Sequence, residues 1–154
     1  MVNTVRTGKC IAAFLALSVS SINLSHADDI QRNLEDVKCL AQNIYHEARD
    51  QSVVGQIAVA EVTINRAKSG KFPTRICDVV FDKYQFSWTI YKPRIHEKEA
   101  YQEIFQLALD MYFQYNPEND GSVYYHAQSV NPDWSRKLKK TKIVGKHIFY
   151  KFKE

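Results

Sequence analysis

The segment Tyr45-His46-Glu47-Ala48-Arg49 places a glutamate near the end of an amphipathic helix. At about 100° per residue, Leu40 lies ~20° from Glu47 around the helix axis, Ile44 ~60° and Ala48 ~100° on the same side. Asn43 and Asp36 fall on the other side. Glu47 therefore sits on the seam between an apolar and a polar face. Apolar walls disfavour an ionised carboxyl and raise its pKa. That is the property a general acid needs in glycosidic cleavage. The alternative for this position is a helix-end glutamate that snorkels to solvent and pairs with Arg49 or Lys38.

Glu61 is the competing carboxylate. It falls within the stripe Val54, Ile57, Ala58 and Ile64, so at least partial burial is expected, and a buried carboxylate needs a partner. Asn65, Arg66 or Arg49 could supply one, which makes a structural ion pair the favoured reading. His46-Glu47 invites a comparison with the zinc motif H-E-x-x-H, but position 50 is Asp50. His126 and His147 are remote in sequence and show no ligand spacing, so neither a metal nor a cofactor is expected. No G-x-S-x-G element is present. Phe86, Trp88, Tyr91, Tyr124, Tyr125 and Trp134 fall in loops or strand ends. Aromatic faces there suit sugar-ring stacking, and ordinary core packing is an equal alternative for each.

These residues need elements to position them. Leu34, Val37, Ala41, Ile44, Tyr45 and Ala48 recur at helical spacing, and a second helix is expected over Val53 to Lys68. Ser69-Gly70 stops that helix and Pro73 opens the next segment. Thr74 to Phe81 reads as a short helical turn and Gln85 to Thr89 as a loop. Tyr101, Ile104, Phe105, Ala108, Met111, Tyr112 and Tyr115 form a helical stripe that ends at Asn116-Pro117. Asp120-Gly121 is a turn and Val123-Tyr124-Tyr125 a strand. The tail from Lys142 to Phe152, broken at Gly145, reads as one or two strands. The class is α+β with helices predominating.

The 154 residues suggest one domain behind a leader. Arg6 and Lys9 precede an apolar run from Cys10 to Leu24, and Ser25-His26-Ala27 gives a small–x–small cleavage site. Residues 1–27 are therefore expected to be a signal peptide. The run is short for a membrane span, with an uncleaved anchor as the alternative. Removing two basic and no acidic residues lowers the net charge from +4 to +2. That balance is too mild to argue for nucleic acid. Cys39 and Cys77 remain, and an even pair in an exported chain favours a disulfide over two buried thiols.

In order along the chain stand Cys39-Leu40-Ala41, Tyr45-His46-Glu47-Ala48-Arg49, Gly55-Gln56-Ile57-Ala58-Val59-Ala60, Asn65-Arg66, Phe72-Pro73 and Cys77-Asp78-Val79-Val80. Gln85-Phe86-Ser87-Trp88, Tyr125-His126-Ala127, Pro132-Asp133-Trp134 and Gly145-Lys146-His147-Ile148-Phe149-Tyr150 follow. No single tetrapeptide is decisive. The ordered series resembles the SleB-type cell-wall hydrolases, the family of the spore cortex-lytic enzymes, over about residues 38–151.

The resemblance implies a helix-dominated, lysozyme-like α+β domain over residues 28–154, with a small antiparallel sheet in its C-terminal part. It implies cleavage of peptidoglycan glycan strands by a lytic transglycosylase or muramidase, with Glu47 as the catalytic acid/base. Gln85, Ser87, Tyr125 and His126 would line the groove, and Trp88 and Trp134 would stack on sugars. Asn65, Arg66 and His147 would brace the helix that carries Glu47 or touch substrate. The chain departs from the family where Gly-Glu usually follows the arginine; here Asp50-Gln51 stands. Loss of that glutamate favours chemistry with one carboxyl, although Asp50 could substitute. Rival readings are a zinc-dependent N-acetylmuramoyl-L-alanine amidase and a non-catalytic peptidoglycan-binding protein. A monomer is expected, secreted or periplasmic in the cell envelope, with no stable membrane anchor after cleavage.

Overall fold

The computed structural model describes residues 15–114 and 119–153, with side chains from residue 25 onward. Arg6, Lys9 and Cys10 of the expected leader, and Tyr115 to Pro117 of the expected helix end, lie outside the described residues. Two compact units are present, residues 1–34 and 35–154. In the first, the described chain is helical and Arg32 pairs with Asp29 one turn away at 3.0 Å. No helix among the described residues is long and apolar enough to cross a membrane.

Among the described residues there are five α-helices and three strands: α1 (Leu15–Ala48), α2 (Val53–Lys68), α3 (Ile76–Phe81), α4 (Trp88–Tyr91), α5 (Lys98–Phe113), β1 (Tyr124–Ala127), β2 (Lys139–Val144) and β3 (His147–Lys151). A 3-10 turn, Asp133–Lys137, precedes β2. The sheet is antiparallel with order β1-β3-β2. Gly145 takes φ +54° in the tight β2–β3 turn, a conformation that suits glycine. The expected helix-dominated α+β class with a small C-terminal sheet is what the chain adopts.

Within the second unit α2 is covered on two sides. Its Ala60 and Ile64 join Val37, Leu40, Ala41, Ile44 and Tyr45 of α1, Ile76 and Val80 of α3, and Ile104 and Ala108 of α5. Its Ala58 and Val62 pack on Phe149 of β3, with Tyr125 and Val144 at the edge. The stripe expected on α2 is displaced by this arrangement. Val54 is 62% exposed, whereas every residue from Ala58 to Ile64 is buried. A helix apolar on most sides reads as buried all round rather than as one stripe. Trp88 and Thr89, expected in a loop, lie in the single-turn helix α4.

Buried polar atoms tie these layers together. Asn43 on α1 donates from Nδ2 to Thr63 Oγ1 on α2 at 3.0 Å, and its Oδ1 accepts from the Trp88 indole at 3.0 Å. Thr63 donates onward to the Val59 carbonyl at 3.3 Å. Asp36 on α1 accepts from the Cys77 backbone N–H at 3.1 Å and from Arg75 Nη2 at 3.2 Å, which fastens the start of α3. Beside this clamp Cys39 and Cys77 form the expected disulfide across 38 residues of sequence. Closing a loop of that length stabilises the fold by about 4 kcal/mol on the chain-entropy model. The double variant Cys39→Ser/Cys77→Ser should lose ~2–4 kcal/mol of unfolding free energy in urea titrations, as native disulfides in small secreted domains do.

Candidate active site

Glu47 is reached from four other segments of the chain. It stands in the last turn of α1, partly buried. Arg66 comes from the last turn of α2, and Tyr84 to Ser87 from the α3–α4 connection. Tyr125, His126 and Ala127 come from β1, and His147 from the start of β3. Together these side chains line an open cleft of about 370 Å³. Glu47 is the one carboxylate among these lining residues.

The carboxyl is held by Tyr125, whose hydroxyl donates to Glu47 Oε2 at 2.9 Å. One oxygen is thereby engaged and Oε1 is left for another partner. Burial raises the pKa of Glu47 above the usual glutamate value, opposed by the Tyr125 hydrogen bond and then by the Arg66 charge. The balance makes Glu47 give up its proton less readily than an ordinary glutamate. Burial and the neighbouring Glu47 charge push the Tyr125 phenol well above its ordinary range, so it remains a donor. Arg49, the alternative partner from the sequence, is drawn away. Its Nε lies 3.3 Å from Glu97 Oε2, and Glu97 also accepts a short hydrogen bond from Tyr45.

Arg66 forms part of the cleft wall as a caged cation. Its guanidinium lies 5.2–5.3 Å from the ring centres of Phe72, Phe86 and Tyr124. Nε donates to the Val123 carbonyl at 2.7 Å, and the buried Nη1 has no protein partner. His147 packs edge-on to Tyr125, and burial lowers its pKa below the usual histidine value. The imidazole is therefore neutral at pH 7. Its Nδ1 is likewise buried without a partner. Asn65 points elsewhere, bonding to Asn119 and to the Ser122 carbonyl at 2.8 and 2.9 Å. It braces the approach to β1 and does not line the cleft.

The remaining sequence candidates divide. Gln85 and Ser87 line the cleft as expected. His126 lines it too, but both ring nitrogens are engaged. Nδ1–H donates to the Ala127 carbonyl at 2.8 Å, and Nε2 accepts from the Tyr150 hydroxyl at 2.9 Å. Trp134 packs on Tyr124, His126 and Tyr150, within an aromatic cluster of the sheet. Trp88 stacks on His46 at 4.5 Å while its N–H serves Asn43. Neither tryptophan is among the cleft-lining residues, because each ring fills the framework behind it. Tyr84 does line the cleft and was missed, since its placement depends on a left-handed backbone that the sequence does not announce.

Two carboxylates that rivalled Glu47 are otherwise occupied. Glu61 is 2% exposed and accepts from Lys142 Nζ at 2.7 Å. This partner comes from β2, because the sheet covers that face of α2. Asp50 is bonded by Lys146 Nζ at 2.6 Å and by Gln51 Nε2 at 3.0 Å, which hold its pKa down at about 2. It borders a different hollow, with Arg49, Glu97 and Ala100. Gln51 Oε1 accepts from the Lys146 backbone N–H at 3.2 Å, and a Cβ on Gly145 would lie 2.5 Å from that oxygen. The Asp50-Gln51 departure thus fastens the β2–β3 turn, which carries His147, to the end of α1.

Known proteins resemble this chain in sequence and in fold. Spore cortex-lytic enzyme from Bacillus subtilis is 29% identical over 118 residues, 74% of this chain and 37% of that enzyme. The chain therefore matches little more than a third of the length of that curated relative. The catalytic domain of the germination-specific lytic transglycosylase SleB from Bacillus anthracis superposes with a TM-score of 0.61 at 28% identity. It covers 75% of this chain and 93% of that domain. The catalytic domain of the Bacillus cereus SleB protein gives 0.63 at 28% identity, covering 75% and 89%. The Cell Wall Hydrolase family model matches residues 50–150, beginning just after Glu47. By that match over most of its length, the chain belongs to the Cell Wall Hydrolase family.

Proposed function

We propose that the chain cleaves the glycan strand of peptidoglycan between N-acetylmuramic acid and N-acetylglucosamine, as a lytic transglycosylase with Glu47 as its single acid/base. The observation that carries this reading is a cleft whose lining holds one carboxyl, half-buried and disposed to keep its proton. Conventional glycosidases use two carboxyls flanking the bond. One suffices when the nucleophile is the substrate's own hydroxyl.

In the first step Glu47 donates its proton to the glycosidic oxygen as the bond from muramic C1 breaks. In the second, the C6 hydroxyl of the same sugar bonds to C1 and returns its proton to the Glu47 carboxylate. The ring closes as a 1,6-anhydro sugar and no water is consumed. Tyr125, by donating to Oε2, steers the acidic proton to Oε1, and both it and Arg66 stabilise the carboxylate between the steps. In this reading the neutral His147, the exposed Ser87 and the half-buried Gln85 bond acetamido and hydroxyl groups of the strand. Residues 1–27 serve as an export leader, and residues 28–154 act as a monomer outside the cytoplasm, where the Cys39–Cys77 bond persists.

A zinc amidase fits less well. Among the described residues no three His, Cys, Asp or Glu side chains converge as metal ligands. A non-catalytic binding protein leaves the burial of an acid at the centre of the cleft unexplained.

Glu47→Gln should lower lysis of purified sacculi by ~100-fold or more, the scale of a lost general acid. Folded Glu47 binds its proton more tightly than in the unfolded chain. Its contribution to stability is thus greatest below the ordinary glutamate pKa and is lost as pH rises through the raised folded value. The glutamine variant should accordingly melt no lower than the parent at neutral pH. Full lytic activity in this variant would remove Glu47 from the mechanism. Mass analysis of digested sacculi should find 1,6-anhydromuramic ends, lighter by one water than hydrolytic ends. Reducing ends alone would make the enzyme a hydrolase.

The pH profile gives a separate check. Activity requires protonated Glu47, so kcat/KM should fall on the alkaline side with an apparent pKa above that of ordinary glutamate. Tyr125→Phe removes a hydrogen bond that favours the carboxylate, so its alkaline limb should move to higher pH while the maximal rate drops. A limb unmoved by this change would show that the phenol does not govern the Glu47 proton.

A further inference from the structure

Tyr84 lines the Glu47 cleft and is nevertheless 77% exposed. Its backbone is left-handed, with φ +66°, a genuine outlier for a bulky residue. It occupies the third position of the turn Asp82 to Gln85, closed by the Gln85 N–H donating to the Asp82 carbonyl at 3.2 Å. The Asp82 carboxylate accepts from the Lys83 N–H at 2.8 Å and stiffens the same turn. Glycine would occupy this position without steric cost. Burial does not explain the tyrosine, since most of the ring faces solvent. Strained non-glycine residues persist where the surrounding structure enforces them, and they cluster at sites of use.

The ring itself points to the ligand. The Lys83 ammonium lies over it, 5.0 Å from the centroid. With that exposure the opposite side remains open at the cleft mouth. The C–H face of a pyranose is apolar while its rim is polar, and a flat aromatic beside polar groups matches both. Tyr supplies that area with few rotatable bonds to immobilise. Gln85 and Ser87, which follow in the same segment, present hydrogen-bonding groups to the same cleft.

We propose that Tyr84 is a sugar-stacking subsite, holding a pyranose of the glycan strand beside the bond that Glu47 cleaves. This rests on the glycan-strand reading above. The subsite accounts for the strain: the turn gives up a comfortable glycine to hold a ring at the cleft mouth. It also assigns the stacking role expected of Trp88 and Trp134 to a residue that reaches the cleft.

The test is Tyr84→Gly assayed on sacculi. KM should rise about tenfold, the scale of one lost aromatic stack, with a much smaller change in kcat. The melting temperature should hold or rise, because glycine suits φ +66°. Tyr84→Trp should restore KM. In a Glu47→Gln background, sacculus binding should weaken by a similar factor when Tyr84→Gly is added, independently of turnover. Unchanged KM with unchanged binding overturns the proposal, and so does a joint loss of melting temperature and activity, which would make the ring a structural part. If Glu47→Gln retains lysis, the catalytic reading fails while the binding comparison still decides the subsite.

Discussion

Helix α2 is enclosed by helices on one side and by the sheet on the other, so each polar side chain on its buried stretch calls for a partner. A buried group left unsatisfied costs about 1–3 kcal/mol, and a buried charge without its partner more. Thr63 is satisfied by Asn43 of α1, Glu61 by Lys142 of β2, and Asn65 and Arg66 by the backbone around Ser122 and Val123. These partners lie on α1, on β2 and in the segment that leads into β1. Satisfying α2 therefore brings the end of α1 and the start of β1 to fixed places on either side of it. Glu47 and Tyr125 sit at those two places, 78 residues apart in sequence and 2.9 Å apart in space.

The chemistry of the cleft grows from the same burial. Removing the Glu47 carboxyl from water favours its protonated form, while Tyr125 and Arg66 pull the other way. Such opposition suits a group that must give up a proton and then take one back. Too dry a site would hold the proton, and too many donors would leave a carboxylate with nothing to donate. Arg66 acts from within an aromatic cage, so its charge has little water to screen it.

At Asp50-Gln51 the chain parts from the usual family pattern, and the fold has turned these residues to structural use. Asp50 holds Lys146 by its side chain and Gln51 holds the same residue by its backbone. Gly145 turns there at φ +54°, close beneath the Gln51 amide. The latch joins the end of α1 to the turn that leads into His147. A position where a second carboxylate could have stood now helps to set one wall of the cleft.

Periodicity by itself determined a great deal here. The stripe on α1, the limits of α2, the α5 ridge and the Gly145 break depend on local spacing and turn chemistry, which a linear chain carries in full. The run of expected elements carried the class of fold, while the seam position left Glu47 in competition with Glu61 and the ordered motifs pointed to Glu47. Only the tertiary structure decided who meets whom. Sequence could not choose Lys142 over Arg66 for Glu61, because that choice depends on which layer covers α2. Nor could it turn Trp88 inward onto His46 and Asn43 while sending Tyr84 outward, since side-chain direction there follows from a left-handed turn and from long-range packing. Local spacing places a residue on a face, but its partner is set by contacts between segments far apart in the chain, and those exist only once the core has closed.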